Sequence, residues 1–380
     1  MKKIYYWSPF IGNIATIKAV INSAHSLSKF SNNSLIPTII NSCGEWDTLY
    51  SELSEKKINV KKFKNNFQIN TKVQGFLKSR LTYIKVFLSC FFLLKKSIIS
   101  DKPDFLIVHL ITSLPIFLYL VFNFNTKLII RVSGKVKMNI FRKMLWKMAG
   151  KKIFLISCPT IESKNELLEL NLVDKSKIIY LPDPIIDINY INIKKKEKEV
   201  SINKDRKFFV SIGRYTKQKN HELAIKCFYR ICKKYENINF LIIGNGELKK
   251  EYRSLINKYN LEEKIFLINY KNNIFNYLNN SLGLISTSLW EDPGFVMIEA
   301  AASNTFVISS DCPSGPKEFL FPDAGLLFEN NNIKSLENKV VEYLDMDPLK
   351  IKKFKTNAKK KAIKFTKLRH YNILSNYLNQ

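Results

Sequence analysis

Almost from end to end, short apolar runs alternate with stretches of helical period, and this constrains the fold of the chain more than any other feature. Runs of this kind separated by amphipathic helices predict a parallel sheet covered on both faces, because both sides of each strand are then buried. In the first half the runs are KIYYWS (3–8), SLIPTII (34–40), FLIVHL (105–110), KLIIRVS (127–133), KIFLIS (152–157) and KIIYLP (177–182). Helical patterns such as ATIKAVINSAHSLSKF (15–30) lie between them. The alternation lapses over 184–207, which is polar, charge-rich and without period, and reads as a linker. It restarts with FFVSIGR (208–214), INFLIIGN (238–245), KIFLIN (264–269), LGLISTS (282–288) and TFVISSD (305–311). With 380 residues the chain is long for one core and suits two. The expectation is two doubly wound α/β domains, 1–183 and 208–362, facing a cleft with ligand at the carboxyl ends of the strands. A basic helical stretch, 363–380, with aromatic residues spaced along 354–377, is expected to return to the first domain.

The charge balance narrows the classes of partner. Lys and Arg number 61 against 32 Asp and Glu, a net charge of +29, and residues 1–182 hold 28 of the basic and 10 of the acidic residues. Such an excess suits an anionic membrane face, a phosphorylated ligand or nucleic acid, or reflects a Lys-rich composition alone. No RNA-binding aromatic motif or recognition-helix pattern accompanies it, so no nucleic-acid partner is expected. The six cysteines contain no CxxC pair, Cys227 and Cys232 do not share a helix face, and four dispersed histidines make no metal box. Reduced thiols and no metal are expected. The opening MKKIYYWSPF lacks the apolar core of a signal peptide, which predicts a cytoplasmic protein. The uncharged stretch 105–122 is split by Pro115 and reads as a strand followed by a helix rather than a membrane span. Residues 80–96, RLTYIKVFLSCFFLLKK, are apolar and bracketed by basic residues. They form either a core-facing helix or an interfacial segment at a membrane surface.

Chemistry concentrates in the second half. In SLWEDPGFVMIEAAA (288–302), Glu291 and Glu299 are eight residues apart around a Pro-Gly turn that leads into an Ala-rich helix. Gly294, Phe295 and Val296 fall at the helix start, where amide N–H groups favour an anion. Glu291, in the preceding loop, can meet a sugar hydroxyl, and Glu299 can accept two hydroxyl hydrogen bonds, as a ribose diol offers. In SIGRYTKQKNHEL (211–223), Gly213 and Arg214 end a strand and Lys219 follows by five residues. The two cations can neutralise a departing diphosphate. A Gly-x-Gly turn at Gly244 follows the next strand. Asp345-Met346-Asp347 spells a metal-binding Asp-x-Asp but runs into Pro348 and reads as a helix end.

These motifs in this order resemble glycosyltransferase family 4, the retaining enzymes of the GT-B fold, over essentially all of the second domain. The Arg-x4-Lys pair matches Arg214 and Lys219, and the Glu-x7-Glu pair matches Glu291 and Glu299. The resemblance implies that the cations hold the donor diphosphate, Glu299 the ribose and Glu291 the transferred sugar. The chain has Glu-Asp-Pro-Gly-Phe where the family commonly has Glu-Gly-Phe-Gly. Together with DCPSGPKEFL (311–320), this looks like the bacterial O-antigen and capsule branch, with Glu318 near the donor sugar. In the first domain Gly12 stands where relatives have a Gly-Gly pair facing the diphosphate. His109 ends a strand and is either directed to the cleft, where it could touch the reacting sugar or acceptor, or a satisfied core histidine; Arg131 and Ser133 are weaker candidates of the same kind. The implied activity is metal-independent transfer from a nucleotide sugar, a UDP-sugar in the first instance, to a glycan or polyprenyl-diphosphate-linked acceptor. The implied place is the inner face of the cytoplasmic membrane. A nucleotide-sugar epimerase of the same fold, or a basic membrane-surface or nucleic-acid binding protein, would be the alternatives.

Overall fold

The computed structural model describes residues 1–10, 15–69, 76–132, 139–197 and 207–380. Two compact units divide the chain, one made of Met1–Ile185 with Lys367–Gln380, the other of Ile186–Thr366.

The first unit contains β1 (Lys2–Trp7), α1 (Ala15–Phe30), β2 (Leu35–Asn41), α2 (Tyr50–Glu55), β3 (Asn59–Lys62), α3 (Phe76–Asp101), β4 (Phe105–Val108) and α4 (Ser113–Val121). It continues with β5 (Lys127–Arg131), α5 (Ile140–Ala149), β6 (Ile153–Cys158), α6 (Ile161–Glu169) and β7 (Ile178–Tyr180). All seven strands are parallel, in the order β3-β2-β1-β4-β5-β6-β7. Alternate residues of each strand face opposite sides, so two cores form. Trp7, Leu106 and Leu128 pack with α3, α4 and α5, while Tyr6, Ile107 and Ile129 pack with α1.

The second unit begins with α7 (Ile188–Lys194), followed by β8 (Lys207–Ile212), α8 (His221–Lys234), β9 (Ile238–Ile243), α9 (Lys249–Lys258), β10 (Ile265–Ile268) and α10 (Phe275–Asn280). Then come β11 (Gly283–Ser286), α11 (Phe295–Ala302), β12 (Phe306–Asp311), α12 (Pro316–Leu320), β13 (Leu326–Glu329), α13 (Ile333–Leu344) and α14 (Pro348–Ala362). Its six strands are parallel, in the order β10-β9-β8-β11-β12-β13. The last helix, α15 (Lys367–Leu378), belongs to the first unit, where Leu374 and Leu378 enter the α1 core.

Within the expected linker 184–207, residues 188–194 are helical. Asp187 accepts a capping bond from the Tyr190 N–H, and Ile191 is buried. The expected terminal helix 363–380 begins at Lys367, so Phe365 stays in the second unit against Phe319, at 5.9 Å. The apolar run 105–122 is β4 followed by α4, and no helix among the described residues is long and apolar enough to cross a membrane. Asp347 caps α14 by accepting from the Leu349 and Lys350 amides, which accounts for the Asp-x-Asp. Glycine is scarce in this chain, and asparagine takes over part of its work. Asn171, Asn260 and Asn304 adopt positive φ just past the ends of α6, α9 and α11. The short polar side chain tolerates the left-handed conformation that ends a helix.

Candidate active site

In the second unit the strand order reverses between β8 and β11. Chain segments leaving neighbouring strands diverge there and open a crevice at the carboxyl edge of the sheet. β8 runs into Gly213 and Arg214, and β11 into Thr287 and Ser288. The stem of Lys219 lies back over Gly213, where a Cβ would come within 3.1 Å of the lysine Cγ and Cδ. Thr287 fastens this loop, its hydroxyl donating to the carbonyls of Lys219 and Asn220 at 3.0 and 2.9 Å.

The Lys219 ammonium ends 2.5 Å from Glu291 Oε1. Ser288 donates to the same oxygen, also at 2.5 Å. The Glu291 amide donates to Pro313 O at 3.1 Å and Ser310 donates to Ser288 O at 2.6 Å, so the end of β12 and the segment after it brace the glutamate loop. Gly294 caps α11 at φ +92°, a conformation that favours glycine, and uses no side-chain cap. The first-turn amides of α11 have no partner inside the helix, and the positive end of its dipole points the same way. Lys219, His221, Ser286, Glu291, Gly294 and Val296 line one pocket. Cation, carboxylate and helix start therefore meet in a single place, an arrangement able to hold an anion beside a hydroxyl-bearing group.

The other residues singled out from sequence in this unit are not among those lining this pocket. Arg214 is exposed, its guanidinium donating to Gln218 Oε1 at 3.3 Å. Glu299 is buried inside α11, 5% exposed, and Phe295 opens that helix. Gly244 ends β9 so close to β8 that a Cβ would fall 1.9 Å from Gly213 O. Glu318 is exposed on α12. Sequence reasoning passed over His221, Ser286 and Ser288. His221 is fully buried at the start of α8, with Nδ1 3.1 Å from Ser211 Oγ. Burial, and after it the Lys219 charge, pull its pKa down to about 3, so the ring is neutral. Its place just after the Lys219 loop was a legible signal; the hydroxyls of a Thr-Ser pair in a loop were not.

The first unit has its own reversal between β1 and β4. Ser8 and His109 follow those strands directly, and the His109 amide donates to Trp7 O at 3.0 Å. The His109 ring is 5% exposed and 6.0 Å from Tyr6. Burial holds its pKa well below the usual histidine range, helped by the charges of Arg131 and His370. Arg131 is buried and paired. Nε donates to Asp183 Oδ1 at 2.8 Å and Nη2 to Oδ2, a buried pair that each partner needs, because an unpaired charge at such depth is costly. Gly12 and Ser133 lie outside the described residues. All six cysteines are free thiols, and among the described residues no cluster of three or more His, Cys, Asp or Glu could hold a metal ion.

Residues 192–361 match the family model described as glycosyl transferases group 1. A Campylobacter jejuni relative is 35% identical over 183 residues, 48% of this chain and 49% of the relative. It is named N-acetylgalactosamine-N,N'-diacetylbacillosaminyl-diphospho-undecaprenol 4-alpha-N-acetylgalactosaminyltransferase. The chain spans about half to three fifths of the length of the curated relatives it matches first, 49% and 61%. Among solved structures, a Rickettsia africae glycosyltransferase superposes with a TM-score of 0.78 at 19% identity, covering 100% of this chain and 98% of its own. Anabaena HepE in complex with UDP superposes with a TM-score of 0.73 at 14% identity, over 100% of both chains. The architecture is the GT-B fold expected from the sequence.

Proposed function

We propose that this protein is a retaining, metal-independent glycosyltransferase. It moves a hexose or N-acetylhexosamine from a UDP-sugar to a lipid-linked glycan in the synthesis of O-antigen, capsule or another surface polysaccharide. It works at the inner face of the cytoplasmic membrane. The observation that carries the reading is the convergence of Lys219, Glu291 and the N-terminus of α11 on one pocket. The group 1 domain match and the Campylobacter relative's lipid-linked acceptor support the same direction.

When the anomeric carbon parts from its phosphate, positive charge gathers on the sugar and negative charge on the leaving oxygen. Catalysis then consists of stabilising the phosphate more in the transition state than in the ground state, and of positioning the acceptor. Lys219, Arg214 and the amides at 294–296 supply the first. Glu291 orients a donor-sugar hydroxyl, and Glu299 holds the ribose. The departing phosphate takes the acceptor's proton in a front-face attack, which needs no enzymatic nucleophile and gives retention.

Calorimetric titration with UDP, followed by a screen of UDP-sugars with a polyprenyl-diphosphate-linked glycan, tests the proposal. Saturable UDP binding and an α-configured product from an α-configured donor are expected. No saturable binding would overturn it, and conversion of the donor sugar without acceptor would make the protein an epimerase.

A further inference from the structure

We infer that the outer face of α3, α4 and α5 in the first unit is a docking surface for an anionic lipid bilayer. The three helices cover the same side of the sheet, with Val86, Cys90, Leu118 and Trp146 turned into one core. A helix covering a sheet is expected to be polar on its other side. These are not. On α3 the exposed positions Leu81, Ile84, Leu88 and Phe92 recur every three or four residues, and Phe92 is 72% exposed. On α4 Phe117 and Val121 face outward, and on α5 Ile140 and Phe141 are 87% and 79% exposed, with Met144 and Met148 beside them.

Half of all exposed large apolar side chains among the described residues lie on these three helices. Scattered singly such residues need no explanation; gathered like this they mark a contact surface. The patch is continuous between helices, since Phe87 and Phe91 of α3 meet Phe117 of α4 at ring separations of 5.9 and 6.2 Å.

Charge decides what covers it. Residues 76–152 contain fifteen Lys and Arg but two acidic residues, Asp101 and Asp104. Asp101, the last residue of α3, is engaged by Lys61 and Tyr5, and Asp104 by the Lys3 amide. Exposed Arg80, Lys85, Lys96, Lys143 and Lys147 interleave with the rows. Lys95 lays its ammonium 3.7 Å from the centre of the Phe122 ring, the posture of a lysine whose stem covers apolar surface. Nucleic acid would satisfy the cations but leave isoleucine, phenylalanine and methionine in water. An anionic bilayer satisfies both, with aromatic and aliphatic groups entering the headgroup boundary and each nearby cation adding about 1 kcal/mol.

The inference does not depend on the transfer reaction, and its test reads the two separately. The full chain is sedimented with vesicles of phosphatidylcholine alone or mixed with phosphatidylglycerol, while UDP affinity is measured in solution. Binding to the mixed vesicles alone is expected, weakening as salt rises. Phe141→Glu with Met148→Glu on α5, and Phe92→Glu on α3, should each lower partitioning by about tenfold or more. Lys143→Glu with Lys147→Glu should lower it comparably and flatten the salt dependence. UDP affinity and melting temperature should match the parent in every case. The inference is overturned if neutral and anionic vesicles bind alike, if neither binds, or if the variants partition as the parent does. It is also overturned if the parent dimerises without lipid and the same variants are monomeric, since the face then joins two copies of the chain.

Discussion

Lys219 and Glu291, 72 positions apart, are joined at 2.5 Å, so the group expected to hold a phosphate is already neutralised by the group expected to hold a sugar. On the proposed function, a donor carrying both phosphate and hydroxyls would separate them at once, giving the ammonium a stronger anion and the carboxylate a hydroxyl donor. UDP, which carries a ribose but no transferred sugar, would break the pair without compensating Glu291. Glu291→Gln should therefore bind UDP more tightly than the parent, by roughly threefold to tenfold for the loss of a partly buried pair. The same variant should transfer sugar more slowly. Calorimetry beside a transfer assay reads both, and weaker UDP binding by the variant would refute the exchange.

Lys219→Ala and Arg214→Ala should each lower turnover by about a hundredfold or more, the scale of losing one stabiliser of transition-state charge. Near-normal rates in both variants would remove the two cations from the reaction.

Gly244→Ala tests the packing beneath the site. The new Cβ would meet the Gly213 carbonyl at 1.9 Å, and because that atom is backbone, the ends of β8 and β9 must part. A loss of about 1–3 kcal/mol in stability is expected, as for an overpacked core. UDP affinity should fall with it, because Gly213 carries the stem of Lys219. A variant with parental melting temperature and parental affinity would show that the contact relaxes freely.

Acid should destabilise both units. Burial holds His370 of the first unit at a pKa of about 4 and His221 of the second at about 3. A histidine in the unfolded chain titrates near 6.5. Above pH 6.5 neither state is protonated and the full stability is present. As pH falls below 6.5 the unfolded chain takes up protons that the native rings refuse. Each histidine then removes about 1.4 kcal/mol per pH unit until its folded pKa is reached. Urea midpoints should decline from pH 6.5 towards pH 4, less steeply in His370→Gln; midpoints flat over that interval would contradict the burial of both rings.

Much of this was legible in the sequence, and the omissions have physical causes. Strands buried on both faces are written almost wholly in apolar residues, so FLIV and INFLII announce themselves. β3 was missed because it is a four-residue sheet edge, NVKK, and edges carry lysines that discourage further pairing. The Glu291, Gly294 and Lys219 constellation was readable because a strand, a tight turn and a helix start each leave a local mark. The pairing of Arg131 with Asp183 was not legible because the two lie 52 residues apart, and local spacing says nothing of such pairs. The row on α3 was read as apolar within 80–96, but which side it faces is settled only by packing, and the row on α5, broken by Arg142, Lys143 and Lys147, was not singled out.

The return of α15 to the first unit orders events during synthesis. Ile186–Thr366 is one unbroken stretch, so the second unit can close as soon as it leaves the ribosome. The first unit emerges earlier yet waits, because the wall of its α1 core is made by residues that follow the second unit in the chain. His370 is what it waits for. Its Nδ1 donates to Pro182 O at 2.8 Å, which leaves Nε2 to accept from Ser23 at 2.9 Å, and Ser23 in turn lies 3.0 Å from the Tyr6 hydroxyl. Until that latch engages, Ser23 lacks its partner on α15 and the groove over α1 stays open to solvent. The unit that contains Tyr6 can therefore be completed only after Ile186–Thr366 has been made.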